Sequence, residues 1–192
     1  KIFDMILDEG ISFTKADAAT IYKVSDDNKF LEFEIVYNAT MDMRQGGSGG
    51  PVGWPAVPLF DDEGDPKLNH IVTSVYHTGK ALSFDDVYEA EGFDVSGTIA
   101  TDKRTNYRCK SMLTIPLKDH EETVLGVIQF INAMNGENDI VSFNDEHIAM
   151  LTSLASQAAI ALSNRHLIDS LENLLMEFMR SIATAIEKQS QY

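Results

Sequence analysis

The chain has 192 residues, 44% of them apolar, and carries 30 acidic against 15 basic side chains for a net charge of −15. That length suits one domain with a projecting element, and the negative surplus argues against direct contact with nucleic acid or anionic lipid. A single cysteine, Cys109, excludes an intramolecular disulfide and a multi-cysteine zinc site, and points to a reducing cytoplasm.

The first residues, KIFDMILDEG, hold acidic groups inside an apolar stretch and do not read as a signal peptide. They also lack an initiating Met, which reads as a segment of a longer protein. Ile2, Phe3, Ile6, Leu7 and Ile11 recur at helical spacing, so residues 1–14 are predicted to form an amphipathic helix, with Gly10 leaving its end open. Residues 16–24 and 30–37 read as two strands joined by the polar turn Ser25-Asp26-Asp27-Asn28-Lys29. In the second strand strict alternation places Leu31, Phe33, Ile35 and Tyr37 on one face, opposite Glu32 and Glu34.

Residues 39–66 hold six glycines and four prolines and lack periodicity. A connection of this length is usually functional or disordered, and it reads as a flexible lid or an edge segment. Its tract Gly46-Gly47-Ser48-Gly49-Gly50 fits G-x-S-x-G, but Pro51, Gly53 and Pro55 forbid the helix that a nucleophile elbow needs. Residues 68–78 are predicted helical, with Leu68, Ile71, Val72 and Val75 inward and Gly79 at the C-terminus. A short strand over 81–84 and a loop with one helical turn over 85–104 follow.

Residues 110–132, KSMLTIPLKDHEETVLGVIQFIN, organise the rest. Two β-rich runs, 112–117 and 124–132, flank a charged connection, which predicts a hairpin of central strands with a loop of four to six residues. From Asn144 to the end no Pro or Gly intervenes. Ser142 or Asn144 can cap a helix there, and Asp145 and Glu146 suit its positive end. Its first half is Ala-rich and apolar around much of its circumference. Its second half carries a stripe of Leu167, Ile168, Leu171, Leu174, Leu175, Phe178, Ile182, Ala185 and Ile186, with Asp169, Glu172, Asn173, Glu177, Arg180 and Glu187 on the other face. Such a stripe predicts a parallel dimer coil, in which Leu167, Leu171, Leu174 and Phe178 form the seam, or else one more core helix.

This order describes an α+β fold. Four stretches resemble the GAF domains: HTGKAL at 77–82, DKRTNYRCKSMLTIPL at 102–117, LGVIQFIN at 125–132, and residues 143–162. The likeness is nearest to the GAF domains of cyclic-nucleotide phosphodiesterases and their bacterial relatives. It implies a GAF-like (PAS-like) central antiparallel sheet with helices packed on one side and a long C-terminal signalling helix. It divides the chain into a sensory domain, 1–164, and a coiled-coil-like linker, 165–192. Residues 178–192 resemble the helical lead-in to a bacterial HD or HD-GYP phosphohydrolase, which implies a catalytic partner domain downstream in the same chain.

The family pattern implies a ligand pocket lined by Tyr37, Asn38, Ile71, Val72, Asp102, Thr105, Cys109 and Gln129. Such a set suits a purine or cyclic-nucleotide ligand, with Tyr37 stacking, Asn38, Asp102 and Gln129 reading base edges, and backbone N–H groups of Ile71 and Val72 meeting a phosphate. Alternatively, Ile71 and Val72 are plain core, Asp102 a loop cap and Gln129 a solvated strand residue. The family's Asn-Lys…Phe…Asp motif occurs here as Asn132-Ala133…Phe143-Asn144, so both members of its ion pair are missing together. The five histidines form no ligand cluster, and Asp61-Asp62-Glu63-Gly64-Asp65 only partly imitates a calcium loop. No nucleophile comes with a base, so no catalytic residue is expected in this segment. The expectation is a dimeric sensor; the alternative is a ligand-free GAF domain that dimerises and spaces other domains.

Overall fold

The computed structural model describes residues 2–189. Helix α1 (Ile2–Thr14) leads into the hairpin of β1 (Ala18–Val24) and β2 (Phe30–Asn38). An edge strand β3 (Met43–Gly46), a 3-10 turn (Gly47–Gly49) and the two-residue β4 (Val57–Pro58) follow. Next come α2 (Ile71–Thr78), β5 (Leu82–Phe84), a second 3-10 turn (Val87–Glu89) and α3 (Ser96–Thr105). The hairpin β6 (Met112–Lys118) and β7 (Val124–Ile131) is succeeded by a small ribbon, β8 (Ala133–Met134) with β9 (Ile140–Val141), and by the long α4 (Asp145–Gln189). Residue 1 and residues 190–192, where the terminal helices were expected to begin and end, lie outside the described residues, as does the Glu187 side chain.

The sheet runs β3-β2-β1-β7-β6-β5, and every pairing in it is antiparallel. The predicted hairpin therefore supplies two inner strands, with β1 inserted between it and β2. On one face, Ile21, Ile35, Ile115, Ile128 and Phe130 pack with Ile6 and Leu7 of α1 and with Leu151, Ala155 and Ala159 of α4. Small residues let α4 approach the sheet closely. The other face has its own cover: Tyr22, Leu31, Phe33 and Val127 pack with Leu59 and with Val72 and Val75 of α2. Helices thus cover both faces, where the sequence suggested one. Period-two alternation on fully buried strands feeds two cores at once.

The alternation expected along β2 breaks at one point. Ile21 pairs with Ile35 and Tyr22 with Phe33, so Glu34 is the extra residue of a β-bulge. Ile35 therefore joins the core under α1 and α4, while Leu31 and Phe33 turn to the α2 face. A sequence pattern cannot show an inserted residue whose neighbours are all apolar.

Two further expectations are corrected. Residues 85–104 contain all but the last residue of the ten-residue helix α3, rather than one turn. Its Ser, Gly, Thr and Lys content has little periodicity, and tertiary contacts hold it. Helix α2 begins at Ile71, leaving Leu68 51% exposed rather than inward. Of the two readings of residues 39–66, the edge segment holds, pairing with β2 through both β3 and β4. Other local features follow the sequence. Gly79 ends α2 at a left-handed φ of 62°, its N–H donating to Val75 O. Asn144 Oδ1 accepts the His147 N–H at 2.8 Å and so caps α4. Asp61 Oδ1 accepts the Glu63 and Asp65 N–H groups, which satisfies the acidic turn internally.

Gly10 does not end α1. A Cβ there would lie 2.6 Å from Phe130 Cε1, closer to Cζ, and 3.1 Å from Leu151 Cδ2. Helix propensity favours Ala by about 1 kcal/mol, but overpacking a closed core costs about 1–3 kcal/mol. Gly10→Ala is accordingly expected to lower stability in urea denaturation; a stabilised variant would contradict this packing.

Arg44, on β3, ties the sheet edge to α1 through Asp4 (3.1 Å) and Asp8 (2.8 Å), while Asp4 also accepts the Ser48 N–H. Burial alone would raise the Asp4 pKa, but the Ser48 N–H and the Arg44 guanidinium outweigh it and hold the carboxyl at about 2, below its ordinary 3.8. Because the folded pKa is depressed, this stabilisation is present above pH 3.8 and is lost as pH falls towards 2. Acid titration of stability should therefore be shallower in Asp4→Asn than in the native chain, and identical slopes would refute the contribution.

Candidate functional site

Between the α2 face of the sheet and α3 lie two adjoining cavities, of about 280 Å³ and 260 Å³, that share Tyr22, Gly97, Thr98, Met112 and Gln129. The floor is built from cross-strand rows. One row runs Val36, Thr20, Gln129, Thr114 across β2, β1, β7 and β6; the next runs Asn38, Ala18, Ile131, Met112. The bulge adds Phe33 beside Tyr22. Thr98, Thr101, Asp102 and Thr105 of α3 form a wall, and Met41, Met43 and Trp54 close one side.

All eight residues implied by the family pattern border these cavities: Tyr37, Asn38, Asp102, Thr105, Cys109 and Gln129 the larger, Ile71, Val72 and Gln129 the smaller. Their chemistry differs. Gln129 is 8% exposed; its Nε2 donates to Thr114 Oγ1 (3.0 Å) and to Met112 Sδ (3.2 Å). Its Oε1 has no partner among the described residues. Asn38, 5% exposed, accepts the Met41 N–H at Oδ1 and leaves its Nδ2 without a partner there, and the buried Thr20 hydroxyl is likewise unpartnered. Three mostly buried residues thus present free hydrogen-bonding atoms on one cavity floor.

Asp102 is engaged at one oxygen. Its Oδ2 accepts the Tyr88 hydroxyl and the Cys109 N–H, both at 2.8 Å. The Arg108 guanidinium stacks 3.5 Å over the Tyr88 ring, and its Nη2 donates to both Asp86 oxygens at 2.7 Å, holding that carboxyl below the usual range. Asp102 thus braces α3 against the strand entering β6. Burial, with the Asp102 carboxylate beside it, pushes the Cys109 thiol up, so it is a neutral wall group rather than a nucleophile. The Tyr37 ring packs into the core under α1 and α4, with Arg44 6.0 Å from its centre, and reaches the cavity only at its border. Ile71 and Val72 bury their side chains, leaving their backbones at the α2 N-terminus beside Lys67 and His70. No side chain caps that terminus.

Asn132 explains what survives of the family motif. In a left-handed conformation, φ 57°, its Nδ2 donates to Arg108 O (2.8 Å) and Tyr107 Oη (3.1 Å) while Oδ1 accepts the Lys110 N–H (2.8 Å). Ala133 is fully buried in the core and Asn144 caps α4, so the absent ion pair leaves no unpaired charge. Sequence reasoning missed Thr20, Phe33, Trp54 and the methionines; the interleaved Thr20 between Ala19 and Ile21 was the available signal for a polar floor.

A larger groove, about 420 Å³, lies where the β1–β2 and β6–β7 turns meet α4. Its charges are mixed, Lys23 and Arg165 with Asp26 and Asp169, and its buried Ser25 hydroxyl is spent on Asp27 at 2.6 Å. Among the described residues there is no metal-ligating cluster and no helix long and apolar enough to cross a membrane.

Residues 1–162 match the GAF domain family. Over 67 residues, 35% of this chain, the sequence is 39% identical to the dual 3′,5′-cyclic-AMP and -GMP phosphodiesterase 11 of Drosophila melanogaster, of which the match spans only 4%. The GAF domain of an Acinetobacter phosphoenolpyruvate-protein phosphotransferase is similar in structure (TM-score 0.60, 15% identity, covering 87% of this chain and 83% of that one). So is the second GAF domain of DevS from Mycobacterium smegmatis (TM-score 0.57, 19% identity, 90% and 96% coverage). The chain belongs to the GAF domain family of sensory, small-molecule-binding regulatory domains, and this domain is a non-catalytic module.

Proposed function

We propose that this domain senses a purine or cyclic-nucleotide ligand in the cytoplasm and, through α4, regulates a C-terminal metal-dependent phosphohydrolase of the HD or HD-GYP type. The observation that carries the ligand half is the polar floor of Gln129, Asn38 and Thr20, whose free hydrogen-bonding atoms line the cavity. A base edge would bond there, and a phosphate would sit at the uncapped N-terminus of α2 between Lys67 and His70. The phosphodiesterase similarity and the HD-like character of residues 178–192 support the output half.

Coupling to output runs along α4. Ser163 Oγ donates to Asp119 Oδ2 at 3.4 Å, and beyond it Leu167, Leu171, Leu174 and Phe178 are 57–66% exposed. An apolar stripe of this kind requires a partner, and a second copy of the helix gives a parallel coil whose register a ligand biases. The same stripe favours a second reading: a ligand-free domain that only dimerises and spaces its neighbours.

Titration calorimetry with cyclic GMP, cyclic AMP and GMP separates the two. Binding is expected, weakened about 2- to 10-fold in Gln129→Ala, the worth of one hydrogen bond. Asp102→Asn should instead lower the melting temperature, since it loosens the α3 brace. An absence of heat with every nucleotide, together with an unshifted melting curve, removes the nucleotide reading and leaves the spacer. Separately, sedimentation should show Leu174→Asp less self-associated than the native chain with its sheet intact by circular dichroism; a native chain monomeric at high concentration refutes the coil. Ligand-dependent hydrolysis of a cyclic dinucleotide by the longer protein tests the output.

A further inference from the structure

The cavity has an aromatic side that neither the family pattern nor the polar floor uses. Trp54, the chain's only tryptophan, borders it and is 42% exposed, although Leu59, five residues on, is completely buried. Its one ring partner among the described residues is Phe33, T-shaped at 5.3 Å and 66°; Phe33 in turn lies tilted on Tyr22 at 4.7 Å. A ladder Tyr22–Phe33–Trp54 therefore climbs from the sheet to the cavity rim, ending in an indole with much of its surface bare.

The ladder exists because of the bulge at Glu34, which re-aims Phe33 from the α1 face to the cavity face. The backbone around Trp54 differs from its surroundings. Residues 51–56, with Pro51, Gly53 and Pro55, take no part in the backbone hydrogen bonds that fix residues 57–67 to β2 and to one another. The indole rides on a segment that can move while its neighbours stay anchored.

We propose that Trp54 is a stacking residue of this site: a flat heteroaromatic ligand sets its polar edge on Gln129, Asn38 and Thr20, and the Trp54 indole closes on its face. This rests on the small-molecule reading above and deepens it, assigning to Trp54 the stacking role expected of Tyr37, whose ring packs on the other side of the sheet. Indole supplies a large π-face whose stacking tolerates different bases. The neutral floor supplies selectivity for edges that carry both donors and acceptors. A ligand without a planar ring gains nothing from the ladder.

A single tryptophan makes the test direct. The native protein is titrated with cyclic GMP, cyclic AMP and guanosine, following Trp54 emission and its quenching by acrylamide beside calorimetry. A saturable emission change and protection from acrylamide, with the calorimetric midpoint, are expected. Trp54→Ala should bind about 5-fold to 100-fold more weakly with an unchanged melting temperature, and Trp54→Phe should recover most of the loss. Calorimetric binding that leaves Trp54 emission and quenching untouched, or that survives in Trp54→Ala, overturns the stacking role while the sensory reading stands. If none of the three probes binds, both the purine reading and the stacking role fall.

Discussion

Each of the first five residues of β1, 18–22, serves either the core under α1 and α4 or the cavity face, and the fold depends on that division. The strand lies between β2 and β7, hydrogen-bonded on both sides, so neither edge is free and neither face is solvated. Ala19 and Ile21 fill the layer under α1 and α4, while Ala18, Thr20 and Tyr22 meet the cavity. A one-residue slip would exchange the two sets, placing the Thr20 hydroxyl in a dry core and Ile21 in the cavity. The bulge at Glu34 acts within this constraint. It lets β2 serve the helical core through Ile35 and the cavity through Phe33, without shifting the register of β1 against β7.

The cavity's polar groups fall into two populations. Asn132 makes three hydrogen bonds to the segment 107–110, Asp102 Oδ2 accepts from Cys109 there and from Tyr88, and the stacked Arg108–Tyr88 pair locks the same segment from outside. These groups are engaged in structure, and they make walls. Gln129, Asn38 and Thr20 are as buried yet incompletely bonded. Their free hydrogen-bonding atoms line the cavity, where water or a ligand can meet them. Engaged walls around an open polar floor suit the binding of a small molecule.

Helix α4 runs from the sheet opposite this site to the exposed stripe of its second half. Its Ala-rich half packs on β6, the strand whose Thr114 holds Gln129 from the other side. Its second half leaves the domain with its apolar residues exposed. The edge strand β3 offers a further route: Met43 borders the cavity while Arg44, next to it, reaches Asp4 and Asp8 of α1.

The sequence by itself determined the antiparallel hairpin at its centre, the two amphipathic helices at its ends, the Gly79 and Asn144 caps and the membership of residues 102–132 in a recognisable family. These depend on periodicity, turn chemistry and local capping, which act over a few residues and are written in their order. It also brought all eight family-implied positions to the cavity border. Only the tertiary structure decided what each does there. Asp102 is a brace because the Tyr88 hydroxyl and the Cys109 N–H, brought in by chain folding, both bond its Oδ2; Gln129 is open because Thr114 and Met112 take only the Nε2 end of its amide. Tyr37 and Phe33 stand four residues apart, and strict alternation gives them one face. The extra residue at Glu34 puts them on opposite sides of the sheet, and the pairing of β1 with β2 that creates it is a contact between strands, invisible in either strand alone.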